Sequence, residues 1–134
     1  LTPSLPVSTI ERWWPVFLWS GIIFAMSSVP GSRLDDVGFS VPDKLVHALE
    51  YAILGFLTLR AQIRGGITLD RRIVVVAVLI GICVGALDEN YQRLTPQRDS
   101  SAKDWVADMV GTAFGVLFAA GLVWRQRRAT RRTR

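Results

Sequence analysis

Four apolar runs, at about 13–32, 45–59, 73–87 and 105–124, divide the basic residues of this 134-residue chain into two unequal groups. No other feature restricts its architecture as much. Arg12 precedes the first run, and Arg60, Arg64, Arg71 and Arg72 lie in the second connection. Six more arginines follow the last run, from Arg125 to Arg134. Together these are eleven of the sixteen Lys and Arg residues. The first and third connections carry the other five: Arg33, Lys44, Arg93, Arg98 and Lys103. Four membrane crossings put the two groups on opposite faces, and the Lys/Arg excess marks the cytoplasmic face. The expected fold is therefore all-α: an integral membrane four-helix bundle with both termini cytoplasmic and the two long polar connections facing outward.

Run lengths agree with this reading. Trp13 to Ser32 is 20 residues without a charge, enough to cross a hydrocarbon core of about 30 Å at about 1.5 Å per residue. The stretch Met109–Trp124 is 16 residues and reaches 20 when Asp108 is included. The two middle runs are 15 residues each, a length also found in buried helices of water-soluble proteins. Trp13, Trp14, Trp105 and Trp124 stand at run ends, where an interfacial aromatic belt belongs. The net charge of +5 comes largely from the arginines of the tail, directly after an apolar run. That placement points to anionic lipid headgroups as the tail's partner, with no nucleic acid. The first run is longer than a signal-peptide core and lacks a basic flank, so it reads as a retained span. Cys83, the lone cysteine, reads as a small apolar packing residue.

The chain then divides into a cytoplasmic segment at 1–12, a four-span membrane domain at 13–124 and a basic cytoplasmic tail at 125–134. Residues 1–10 read as irregular. Pro15 is expected in the first turn of the first helix, where proline is tolerated, and Pro30-Gly31 at its end. Residues 33–42 form the first outer loop, with Asp43 as N-cap of the second helix. Gly65-Gly66 breaks the inner connection, and the fourth helix begins near Ser100 or Ser101. Gly81-x-x-x-Gly85 and Gly111-x-x-x-Gly115 are expected helix-packing stripes, with Gly21-x-x-x-Ala25 a looser match. Small residues at this spacing let backbones approach closely in lipid.

A polar constellation accompanies these stripes. Asp43, His47, Glu50 and Tyr51 share one face of the second helix, since three- and four-residue steps return to the same side. The third helix ends in Asp88, Glu89 and Gln92. Arg98 precedes the fourth helix, which carries Asp104 and Asp108 one turn apart. Ionisable groups within spans face a bundle interior or a wet cavity, so these sets should converge near the outer leaflet.

Three ordered blocks carry a resemblance. They are Asp43-Lys44-x-x-His47-x-x-x-Tyr51, then Asp88-Glu89-x-x-Gln92, then Arg98 and Ser101 leading to Asp104 and Gly111. Over about residues 10–124 the chain resembles the VanZ-like family of small multi-span bacterial membrane proteins. The resemblance implies a multi-pass protein of the bacterial inner membrane and a link to teicoplanin-type glycopeptide susceptibility. One departure is Asp108, where the family pattern has asparagine.

The residues allow several site chemistries. His47 could exchange protons near neutrality. Asp88, Glu89 and Asp104 are weak candidates for a divalent cation, with no cofactor otherwise expected. Arg98 could clamp a phosphate or carboxylate. Alternatively, His47, Glu50, Tyr51 and Gln92 satisfy one another as interhelical hydrogen bonds, with Asp43 and Asp104 as caps. No nucleophile elbow, phosphate-binding loop or zinc-type spacing is present, and no catalytic residue is assigned. The function expected first is binding of a surface polymer or lipid-linked headgroup. An accessory subunit, packed against a larger membrane complex or a second copy, comes second. A membrane hydrolase or transferase acting on a lipid-linked phosphate comes third.

Overall fold

The computed structural model describes residues 8–30, 42–64, 68–96, 98 and 100–132. All but Pro42 of the connection expected at 33–42, the Gly65-Gly66 break, Asp99 and the first seven residues lie outside them. The described residues form four α-helices and no strand: α1 (Thr9–Ser27), α2 (Asp43–Ile63), α3 (Arg71–Gln92) and α4 (Ala102–Arg132).

Helix α1 begins earlier than expected. Ser8 is its N-cap: its Oγ accepts from Glu11 N at 3.1 Å, and its own N–H donates to Glu11 Oε2 at 2.7 Å. This capping box satisfies two orphan donors, which explains why residues 9 and 10 are helical rather than irregular. Pro15 consequently lies inside the helix rather than in its first turn, leaving the Glu11 carbonyl without its usual donor. The helix stops at Ser27, short of Ser32. Ser28 Oγ bonds back to Phe24 O at 2.7 Å, and Pro30 disfavours helical backbone at Val29.

The other helices start differently from one another. Pro42, not Asp43, is the N-cap of α2; Asp43 is a first-turn acid that makes no capping bond. Asp70 caps α3 by accepting from Ile73 N at 3.0 Å. Ser101 Oγ accepts from Lys103 N at 3.1 Å at the start of α4. That helix then runs on to Arg132, so the basic segment continues it rather than forming a separate tail. Arg128 lies over the Trp124 ring at 3.5 Å, a cation–π contact just beyond the apolar run. Helix α3, and α4 as far as Thr130, are each long and apolar enough to cross a membrane.

The helices alternate in direction, so α2 runs parallel to α4 and α1 parallel to α3. Helices α2 and α4 share the largest interface. A Cβ at Gly111 would run into the backbone of Ala48, and one at Gly115 into that of Ala52. Gly55, which the sequence reading passed over, meets the backbone of Thr112 in the same way. On the other side of α4, Gly81 faces the Thr112 side chain and Gly85 faces Asp108 and Trp105. Gly21 has open space around it, so the looser stripe in α1 is not packed there against any described residue of the chain. Cys83 is exposed rather than packed.

Burial is inverted relative to a water-soluble bundle. Side chains below a tenth exposed include as many polar residues as apolar ones. Meanwhile Phe17, Leu79, Val110, Phe114, Leu117 and Phe118 are all more than half exposed.

The close approach of α2 and α4 makes a sharp prediction. Gly111→Ala and Gly115→Ala should each destabilise the protein by about 1–3 kcal/mol through overpacking. Gly121→Ala, which has open space, should be neutral or slightly stabilising. Thermal denaturation of the three variants in one mild detergent checks this.

Candidate functional site

The polar residues gather at the end of the bundle where α2 and α4 begin and α1 and α3 finish. Helix geometry brings them there. His47 lies one residue before Ala48, and Asp108 one turn before Gly111, so the Gly111–Ala48 backbone contact carries the two side chains together. His47 Nδ1 and Asp108 Oδ1 are 2.9 Å apart, and both residues are buried. Asp43, one turn earlier on α2 and exposed, places Oδ1 4.0 Å from His47 Nε2. Lys44 Nζ reaches Asp104 Oδ1 at 3.6 Å, an ion pair too long to be a hydrogen bond.

A second network ties α1 to the end of α3. Gln92 Nε2 donates to Asp88 Oδ2 at 3.1 Å and to Ser27 Oγ at 3.2 Å. Thr95 Oγ1 donates to the Ser27 carbonyl at 3.1 Å. Tyr91 and Ser28 hydroxyls meet at 2.9 Å, and the Phe24 and Tyr91 rings pack edge to face at 5.7 Å. Arg98 spends its guanidinium here. Nε donates to Val29 O at 3.2 Å and Nη2 to Met26 O at 3.0 Å. Arg98 is thus a cap for the C-terminus of α1, where orphan carbonyls and the helix dipole favour a cation, rather than a free phosphate clamp.

Glu89 links α3 to the start of α4. Its Oε2 accepts from Ser100 Oγ and from Ser101 N, both at 2.9 Å. Glu50 is half-buried and contributes its backbone carbonyl, which accepts from Trp19 Nε1 at 2.9 Å. Tyr51 is fully buried one turn below His47, and its hydroxyl has no hydrogen-bond partner among the described residues. The mutual satisfaction expected among His47, Glu50, Tyr51 and Gln92 is therefore not the arrangement found: His47 turns to Asp108 and Gln92 to Asp88 and Ser27.

The balance of this layer is acidic. Asp88, Glu89, Asp104 and Asp108 are all at least nine-tenths buried, with His47 and the exposed Lys44 the basic groups paired with this set. Asp88 Oδ1, Glu89 Oε1, Asp104 Oδ1 and Asp108 Oδ2 are buried without a hydrogen-bond partner among the described residues. The expected cation set Asp88, Glu89 and Asp104 does not come together as one. The described residues that do cluster are His47, Glu89 and Asp108, so of the expected three only Glu89 belongs. Ser27, Thr95 and Thr112 escaped the sequence reading. Ser27 and Thr95 belong to segments read as a span and a loop. Thr112 resembles any other small residue of a glycine-rich stripe.

Comparison with protein-family models, curated proteins and solved structures yields no match. What the site does must be read from its own residues.

His47 and Asp108 should be energetically coupled. A double-mutant cycle of His47→Ala and Asp108→Asn, read as stability in detergent, should give an interaction of about 0.5–3 kcal/mol. The cycle of His47→Ala with Asp88→Asn should give a smaller one, because Asp88 is held by Gln92. Equal coupling in both cycles would contradict this division of the layer.

Proposed function

We propose that this chain is a VanZ-like integral membrane protein of the bacterial envelope, crossing the inner membrane four times with both termini in the cytoplasm. Its acidic layer lies near the outer leaflet and binds the headgroup of a surface polymer or lipid-linked precursor. By occupying or reorganising that headgroup it alters access of teicoplanin-type glycopeptides.

The observation that carries the membrane reading is the inverted burial. Large apolar side chains on all four helices face outward, and the polar ones are enclosed. In water such a surface would be an extended aggregation patch; against acyl chains it is the stable arrangement. The charge distribution supports the orientation. Arg60, Arg64, Arg71, Arg72 and Arg125 stand at the end of the bundle opposite the acidic layer. Helices α1 and α2 are less clearly span-like by length and composition than α3 and α4; their apolar outer faces, with Phe17, Leu18, Leu49 and Ile53 exposed, support counting them as spans.

The acidity of the layer narrows the ligand. Four buried carboxylates repel a bare phosphate, so the headgroup carries an amine or brings its phosphate with a bound cation. Binding without turnover fits best, since the described cluster pairs carboxylates with one imidazole and offers no activated nucleophile. An accessory-subunit role is the second reading. An apolar groove between α2 and α4, lined by Leu49, Ile53, Phe56, Phe114 and Phe118, is the feature that favours it.

Two measurements test the proposal. A reporter fused after Arg134 should signal cytoplasm, and one inserted within 33–41 should signal the outer face; the reverse result overturns the orientation. In a susceptible host, expression of the chain should raise teicoplanin tolerance, and His47→Ala should abolish most of the gain at equal membrane abundance. No gain from the wild-type chain would overturn the glycopeptide link.

A further inference from the structure

Three helices deliver one donor atom each to a single small volume. The atoms belong to His47 on α2, Glu89 on α3 and Asp108 on α4, and they lie within 4.8 Å of one another. The side chains are almost wholly enclosed, at 4%, 6% and 0% exposure. Two of their oxygens, Asp108 Oδ2 and Glu89 Oε1, are buried with no hydrogen-bond partner among the described residues. A buried carboxylate oxygen without a donor is destabilising, and here both belong to carboxylates that bring a ligand atom within 4.8 Å of the same imidazole. Extra negative charge in an enclosed layer is offset by protons or by a cation.

We propose that His47, Glu89 and Asp108 bind one divalent transition-metal ion of the Zn2+ or Mn2+ class. The His47 Nδ1 to Asp108 Oδ1 distance of 2.9 Å is close to the spacing of two ligands on one such ion. Bonds of about 2.0–2.2 Å place neighbouring donors roughly 3 Å apart. Without the ion, His47 is an imidazolium with a proton on each ring nitrogen, and Nδ1–H donates to Asp108 Oδ1. On binding, that proton leaves to solvent and the nitrogen lone pair takes the metal, as metal sites require. His47 then keeps its proton on Nε2, which lies 4.0 Å from the Asp43 carboxylate, the usual partner of a metal-bound imidazole. At 4.0 Å Asp43 is too far for a hydrogen bond in this structure, whereas Glu89 is held from behind directly: Ser100 Oγ and Ser101 N–H donate to Oε2 and leave Oε1 uncommitted.

The donor set selects the class of ion. Magnesium and calcium prefer oxygen ligands alone, whereas one imidazole with two carboxylates suits zinc, manganese or ferrous iron. Three protein ligands leave further positions for water or for a ligand oxygen. The inference deepens the headgroup-binding reading at the same site, because a bound cation is what would bring a phosphate into an acidic layer. It is nevertheless tested without lipid or antibiotic, so failure of that reading leaves it standing.

The test uses the full chain in mild detergent, purified through a tag free of histidine. Zn2+ is titrated by calorimetry and Co2+ by visible absorption, with Mg2+ and Ca2+ as comparisons. One Zn2+ or Co2+ should bind per chain at micromolar or lower concentration, and Mg2+ and Ca2+ much more weakly. His47→Gln, Glu89→Gln and Asp108→Asn should each weaken binding about tenfold or more. Glu11→Gln, at the other end of the bundle, should not. His47 is the chain's single histidine, so in 15N-histidine protein its ring signals should shift with stoichiometric Zn2+. That measurement decides the matter if the site variants do not fold. Lack of Zn2+ binding by folded wild-type protein at millimolar metal, or an unmoved histidine signal, overturns the site. So does equal affinity in folded site variants. Equal binding of Mg2+ or Ca2+ overturns the choice of ion.

Discussion

The approach of α2 to α4 sets the geometry of everything near it. Gly111 and Gly115 turn a hydrogen where any other residue has a Cβ, and the backbones of Ala48 and Ala52 fill that space. In the membrane setting proposed above, helices would gain nothing from withdrawing apolar surface, and close dispersion contact and polar bonds would hold them. The glycine contact is the dispersion part. Because His47 and Asp108 lie next to it in sequence, the same contact brings a base on one helix to an acid on the other.

Helix α3 docks on the opposite side of α4 by the same device. Gly81 and Gly85 lie against Thr112, Asp108 and Trp105, and Trp105 Nε1 donates to the Ile82 carbonyl at 3.3 Å. This register carries Glu89 to the start of α4. Helix α1 is attached differently. Its end is held through Ser27, Gln92, Thr95 and Arg98, a set of side-chain bonds, and through Trp19 reaching the Glu50 carbonyl. A network of this kind is demanding: each partner removed leaves a buried polar atom unsatisfied. The site thus rests on backbone contact between α2 and α4, on glycines set against side chains between α3 and α4, and on hydrogen bonds on the α1 side.

Much of the fold was legible because its signals are local. Long uncharged runs, glycines four apart and acidic residues at three- and four-residue steps can all be read within one helix. The ends of helices were less legible. Ser8 and Glu11 form a capping box that extends α1 backwards, and Ser28, bonded back to the Phe24 carbonyl, ends it early. Both outcomes turn on side-chain bonds to backbone that compete with propensity. Arg98 illustrates the limit best. Its charge suggested an anion clamp, yet its guanidinium caps α1, a helix about 70 residues away in the chain.

By itself the sequence determined that the chain is helical, where its apolar runs lie, how its basic residues are shared between alternate connections, and which polar residues would be costly on an apolar face. Those properties follow from periodicity, hydrogen-bond demand and the cost of burying charge, each fixed by residue type and spacing. Only the tertiary structure decided which polar groups meet. It paired His47 with Asp108, gave Gln92 to Asp88 and Ser27, and gathered Glu89 with His47 and Asp108 while leaving Asp88 and Asp104 outside that cluster. Partner choice depends on the relative rotation and axial shift of helices. An offset of one residue turns a side chain by about 100° on a 3.6-residue helix, and no single helix encodes its offset from another.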